Sequence, residues 1–121
     1  MDKDIIKLTI PSKPHYISVV RLTTSSICNS MGFNIDEIED IKVSISEACI
    51  NALNKSKEIN IIYKIEEDKL IVNVDNVHKA CENEINKEME LGLLIIESLM
   101  DRVNFSEEGV EMIKYTEDGL R

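Results

Sequence analysis

Residues 43–54 read V-S-I-S-E-A-C-I-N-A-L-N. Together with the residues just before them they carry apolar side chains at Ile38, Ile41, Ile45, Ala48, Cys49 and Ala52. That three- and four-residue spacing is the core-facing stripe of an amphipathic helix. Glu47 and Asn51 interrupt the run four residues apart, so they share one face. With Asp40 and Ser44 they make a polar stripe, and beyond it Val43 and Ile50 form a second apolar strip. A helix facing plain solvent has no use for the second strip, whereas a helix forming one wall of a pocket does. The pattern alone leaves open the plainer alternative, a partly solvated Glu and Asn.

Working outward, Asp4–Ile10 is a short strand ended by Pro11 and Pro14. His15–Met31 has helical periodicity, and Gly32 is a helix stop. Asp36 with Glu39 three residues later predicts the cap of the helix that runs to about Asn54. Ile59–Ile65 and Leu70–Val74 are β-rich runs joined by a charged turn, a hairpin. Residues 76–90 are polar and irregular, Leu91–Met100 is a third helix, and Val103–Ser106 with Val110–Tyr115 forms a second hairpin around Glu107, Glu108 and Gly109. This order predicts one domain of α+β class: a two-layer sandwich of a mixed, mostly antiparallel sheet with helices on one face.

Composition narrows the function. The chain has 121 residues and a net charge of -9, which excludes a broad basic nucleic-acid surface and suits a basic protein partner. No apolar run fits a signal peptide or a membrane span, so the expected location is the cytoplasm. Cys28, Cys49 and Cys81 are widely spaced with no CxxC pair, which reads as reduced thiols.

The segment V-R-L-T-T-S-S-I-C-N-S-M-G-F-N-I-D-E-I-E-D-I-K-V-S-I-S-E-A-C-I-N-A-L resembles the first half of the anti-sigma-factor serine kinases, bacterial general-stress and sporulation switch proteins of the GHKL (histidine-kinase-like) ATPase superfamily. L-G-L-L-I-I-E-S-L-M-D-R-V-N-F-S-E-E-G-V-E-M-I-K-Y resembles that family's second glycine box, the helix after it and the last two strands. The resemblance implies ATP and Mg²⁺ as cofactors. It implies a homodimer whose partners are a sigma factor and an anti-anti-sigma factor of STAS type. By the same resemblance Glu47 is the catalytic acid that takes a proton from a substrate serine, Asn51 the Mg²⁺ ligand, and Asp75 the acceptor for the adenine amino group. Gly92 and Leu93 fall in the second box, where a helix N-terminus meets phosphate, and Arg21 is a partner contact.

The sequence also departs from the family. Asp75 is followed by Asn76, Val77, His78 and Lys79, with no glycine of the first box, and Glu90 stands where a further glycine is often found. A β-branched Val77 resists positive φ, and a carboxylate at Glu90 repels polyphosphate, so weakened ATP binding is expected. Two functions stay open at this point: a Mg-ATP-dependent anti-sigma kinase, and a nucleotide-independent sigma-binding module of the same fold.

Overall fold

The computed structural model describes residues 4–78 and 87–117. Five strands form one sheet: β1 (Asp4–Pro11), β2 (Glu58–Ile65), β3 (Lys69–Val74), β4 (Arg102–Ser106) and β5 (Gly109–Tyr115). Their order is β1-β2-β3-β5-β4 and every pairing is antiparallel, which sharpens the mixed sheet expected from the sequence. Three helices complete the α+β architecture: α1 (Ile17–Ser30), α2 (Ile35–Ala52) and α3 (Lys87–Leu99).

Alternation along the strands decides which face is covered. Ile59, Ile61 and Tyr63 of β2, Leu70, Val72 and Val74 of β3, and Val110 and Met112 of β5 are buried. Their neighbours in sequence lie on the opposite face, as a period of two requires. Register stacks the buried set across the sheet, with Ile61 opposite Val74, Tyr63 opposite Val72, Val72 opposite Met112 and Val74 opposite Val110. The helical layer contributes Ile41, Ile45, Ala48, Cys49 and Ala52 of α2, all buried, as the apolar spacing predicts. Each fully buried Ile is worth about 1.5–3 kcal/mol against leaving it in water. The Tyr63 hydroxyl reaches through this core to Thr24 Oγ1 at 2.8 Å, tying α1 to the sheet.

Element ends differ from the sequence expectation in two instructive places. Asn34, not Asp36, caps α2: its side chain accepts from the Glu37 N–H at 2.8 Å, and Glu37 Oε1 accepts from the Asn34 N–H at 2.9 Å. The two carboxylates 36 and 37 then lie in the first turn, where the helix dipole favours negative charge. In the same way α3 begins at Lys87, with Glu88 and Glu90 in its first turn, rather than at Leu91. Its far end is closed by Lys114 Nζ on the Leu99 carbonyl at 2.7 Å and by Asp101 Oδ2, which accepts from the Tyr115 N–H at 2.8 Å. The S-L-M-D ending therefore locks α3 to β5.

β3 is the central strand, and its C-terminal end delivers Asp75 to the middle of the molecule. There the backbone is crowded. Gly109 opens β5 at φ +119, and a Cβ on it would run into the Val74 carbonyl oxygen and lie 2.8 Å from Asp75 Cα. Gly32, also at positive φ (+82), has open space around it. Gly32→Ala should therefore cost about 1 kcal/mol from backbone strain alone. Gly109→Ala should cost about 3 kcal/mol or more, because strain and a backbone collision add. Urea denaturation of the two variants measures the gap, and equal costs would contradict the close approach of β5 to β3.

Candidate functional site

Of the polar stripe of α2, Glu47 and Asn51 line a cleft, while Asp40 and Ser44 do not. The cleft encloses about 300 Å³ between the C-terminal half of α2 and the start of α3, and Glu47, Asn51, Lys55, Glu88, Gly92 and Leu93 are among its lining residues. Ile50 also lines it, while Val43 does not.

Asn51 is buried and bonded through both ends of its amide. Its Oδ1 accepts from Lys55 Nζ at 2.7 Å and from the His78 N–H at 3.3 Å, and its Nδ2 donates to the His78 carbonyl at 3.5 Å. One amide thus ties the end of α2 to the segment that follows β3. Glu47, half-buried one turn earlier, faces α3 at Gly92: a Cβ there would sit 2.7 Å from Glu47 Oε2. Gly92 lies in the second turn of α3, inside the helix, because α3 starts four residues earlier than its apolar pattern indicates. Its missing side chain makes room for the carboxylate.

Asp75 stands apart from that cleft, at the end of β3. Its two carboxylate oxygens accept from the Asn60 backbone N–H and from Asn60 Nδ2, each at 2.8 Å. Its charge is felt on α2, where Cys49 is pushed up to about 12, first by burial and then by Asp75. Burial alone pushes Cys28 up to about 12 as well. Both thiols are therefore protonated at neutral pH, free and packed in the core, in line with the expectation of reduced cysteines. Cys81 lies outside the described residues, as do Lys79 and most of the acidic stretch after it.

The local departures from the family pattern take a different form from the one expected. Positive φ falls on Asn76 (+60), not on Val77. Asn tolerates the left-handed region, so the backbone turns after Asp75 without a glycine. Val77 is fully buried in the core, away from any strained conformation. Glu90 is exposed, and the carboxylate that α3 adds to the cleft is that of Glu88. Val77 thus carries no backbone strain, and Glu90 is not among the residues that line the cleft.

Arg21 is half-buried on α1, away from the cleft, and its guanidinium donates to Ser46 Oγ at 2.8 Å. Ser46 directly precedes Glu47, so Arg21 braces the neighbouring turn of α2. Two residues escape a reading of the sequence: Lys55 on Asn51, and Asn60 on Asp75. Lys55 lies three residues beyond the end of α2, so it reaches back to Asn51 from the turn and not along a helix face. Asn60 is revealed only by strand pairing.

A hard divalent cation fits the α2 end of this cleft. Among the described residues no cluster of three His, Cys, Asp or Glu is placed to hold a metal. A single amide oxygen, Asn51 Oδ1, already holds a cationic group, with the carboxylates of Glu47 and Glu88 lining the same space. That donor set suits Mg²⁺ carried in largely by phosphate oxygens and water.

A model of the family described as histidine kinase-like ATPase domain matches residues 10–114. The serine-protein kinase RsbW of Bacillus subtilis (strain 168) is 34% identical, over 93% of this chain and 86% of that protein. The serine-protein kinase RsbW of Oceanobacillus iheyensis is 36% identical over 91% and 84%, and that of Bacillus cereus (strain B4264) 37% over 91% and 84%.

The Gly92–Glu47 approach has a measurable consequence. Inside a helix, Gly→Ala ordinarily gains about 1 kcal/mol of propensity. Gly92→Ala should keep or raise the urea midpoint, because the obstructing atom is the movable end of Glu47. A fall of more than about 2 kcal/mol would mean that the two helices cannot yield there.

Proposed function

The chain belongs to the histidine kinase-like ATPase domain family, and from that premise we propose that it is an anti-sigma factor that uses Mg-ATP to phosphorylate a serine of an anti-anti-sigma protein. The observation that carries this reading is the placement of Glu47 and Asn51 one turn apart on one wall of a cleft, with Asp75 at the end of the central strand. The relatives named serine-protein kinase support the reaction class.

The chemistry follows from those side chains. Asp75 presents acceptors only, which suits the amino group of adenine. Asn51 Oδ1 would hold Mg²⁺, which would supply positive charge beside the phosphates. Lys55, which donates to the same oxygen, adds a cationic group to this wall. Glu47 accepts the proton of the incoming serine hydroxyl as the serine oxygen bonds to the γ-phosphorus and the bond to the β-phosphate oxygen breaks. Gly92 and Leu93 line the cleft from the α3 side.

The partners in this reading are a sigma factor and a STAS-type anti-anti-sigma factor, met by a homodimer in the cytoplasm. Among the described residues no helix is long and apolar enough to cross a membrane. The acidic chain, with a net charge of -9, suits a basic partner surface.

Glu47→Gln should lower phosphoryl transfer to the anti-anti-sigma protein about 10²–10⁴-fold while leaving ATP affinity unchanged, since it removes a base and no phosphate contact. Transfer at the wild-type rate, measured by labelled γ-phosphate, removes Glu47 from the mechanism. Arg21→Glu should weaken sigma-factor capture in a pull-down. Its hydrogen bond to Ser46 is lost, at a cost of about 1 kcal/mol. Undiminished capture would confine Arg21 to bracing α2.

A further inference from the structure

Asp75 does not present itself; it is held. The Asn60 backbone N–H donates to Oδ1 and the Asn60 side-chain Nδ2 to Oδ2, both at 2.8 Å. The two bonds grip the two oxygens from one residue and fix the plane of the carboxylate. The Asp75 N–H donates in turn to the Asn60 carbonyl at 3.2 Å, so backbone and side chain lock together. Asn60 is itself oriented: Thr9 Oγ1 donates to Asn60 Oδ1 at 2.7 Å, across the β1–β2 register that pairs these two residues. A hydroxyl on that oxygen leaves the amide nitrogen as the end facing Asp75. Turned the other way, the amide would set its oxygen against a carboxylate.

We infer that Asn60, oriented by Thr9, is a positioning residue that sets the nucleobase preference of the site, an inference that rests on the nucleotide reading given above. Each oxygen of Asp75 receives one donor from Asn60 and keeps a further lone pair. The remaining capacity of the carboxylate is acceptor only and points in a fixed direction. A base with an exocyclic amino group satisfies it. A 6-oxo purine brings a second acceptor and leaves two oxygens facing each other unpaired, the arrangement that polar sites reject most strongly. Without the Asn60 amide the carboxylate keeps only the backbone N–H on one oxygen, and its other oxygen turns toward water or a different base edge.

Thr9 and Asn60 are both exposed, so their replacement leaves the core intact. The experiment compares equilibrium binding of ATP and of inosine triphosphate, each with Mg²⁺, to the full chain. Wild type should favour ATP. Asn60→Leu should weaken ATP binding about tenfold and bring the ATP-to-inosine-triphosphate ratio toward one, with circular dichroism unchanged. Thr9→Val should move both in the same direction by less, and should add nothing in the Asn60→Leu background, because Thr9 acts through Asn60. An equal loss of both nucleotides at constant ratio would mark a merely structural role and overturn the inference. So would unchanged binding in Asn60→Leu while Asp75→Asn loses ATP, and in that case the nucleotide reading stands. A wild-type protein that binds neither nucleotide removes both.

Discussion

Ala48, Cys49 and Ala52 have no exposed surface, and these small side chains let α2 lie flat on the sheet beside β3. On its other flank α2 meets α3 at Gly92, again with no side chain in the way. Close packing on both flanks fixes where α2 holds Glu47 and Asn51. The same principle recurs at the end of β3. Gly109 lets β5 approach Val74 and Asp75 so closely that no larger residue fits. Small residues thus set the approach of α2 to the sheet, of α2 to α3, and of β5 to the end of β3.

The cleft and the Asp75 position outside it are built differently. Asp75 is held by backbone and side-chain bonds between adjacent strands, with Thr9, Asn60 and Asp75 in series across β1, β2 and the end of β3. Asn51 and Glu47 both sit on α2, and Asn51 is tied to the His78 backbone and to the long, rotatable side chain of Lys55.

Much of this was legible in the sequence. The three-and-four spacing from Ile38 to Ala52 predicts α2 and its buried face, and the alternation in the second half predicts both hairpins, because burial writes its period directly into composition. Glu47 and Asn51 stand out as polar residues within an apolar run. The start of α3 was hidden because its first turn is polar and capped by charge rather than by apolar periodicity. The cap at Asn34 competed with an equally spaced pair two residues later. Val77 looked misplaced beside a missing glycine, yet Asn76 takes the positive φ and releases Val77 to the core. Lys55 and Asn60 act through contacts that depend on where elements meet in space, which no single-segment pattern records.

Isothermal titration of the full chain with Mg-ATP tests most directly whether the protein takes an adenine nucleotide, with Asp75→Asn as the paired variant. Saturable one-site binding that requires Mg²⁺ is expected, lost or greatly weakened in Asp75→Asn. No saturable heat with the folded wild type at millimolar nucleotide, or equal binding by the two proteins, would contradict it.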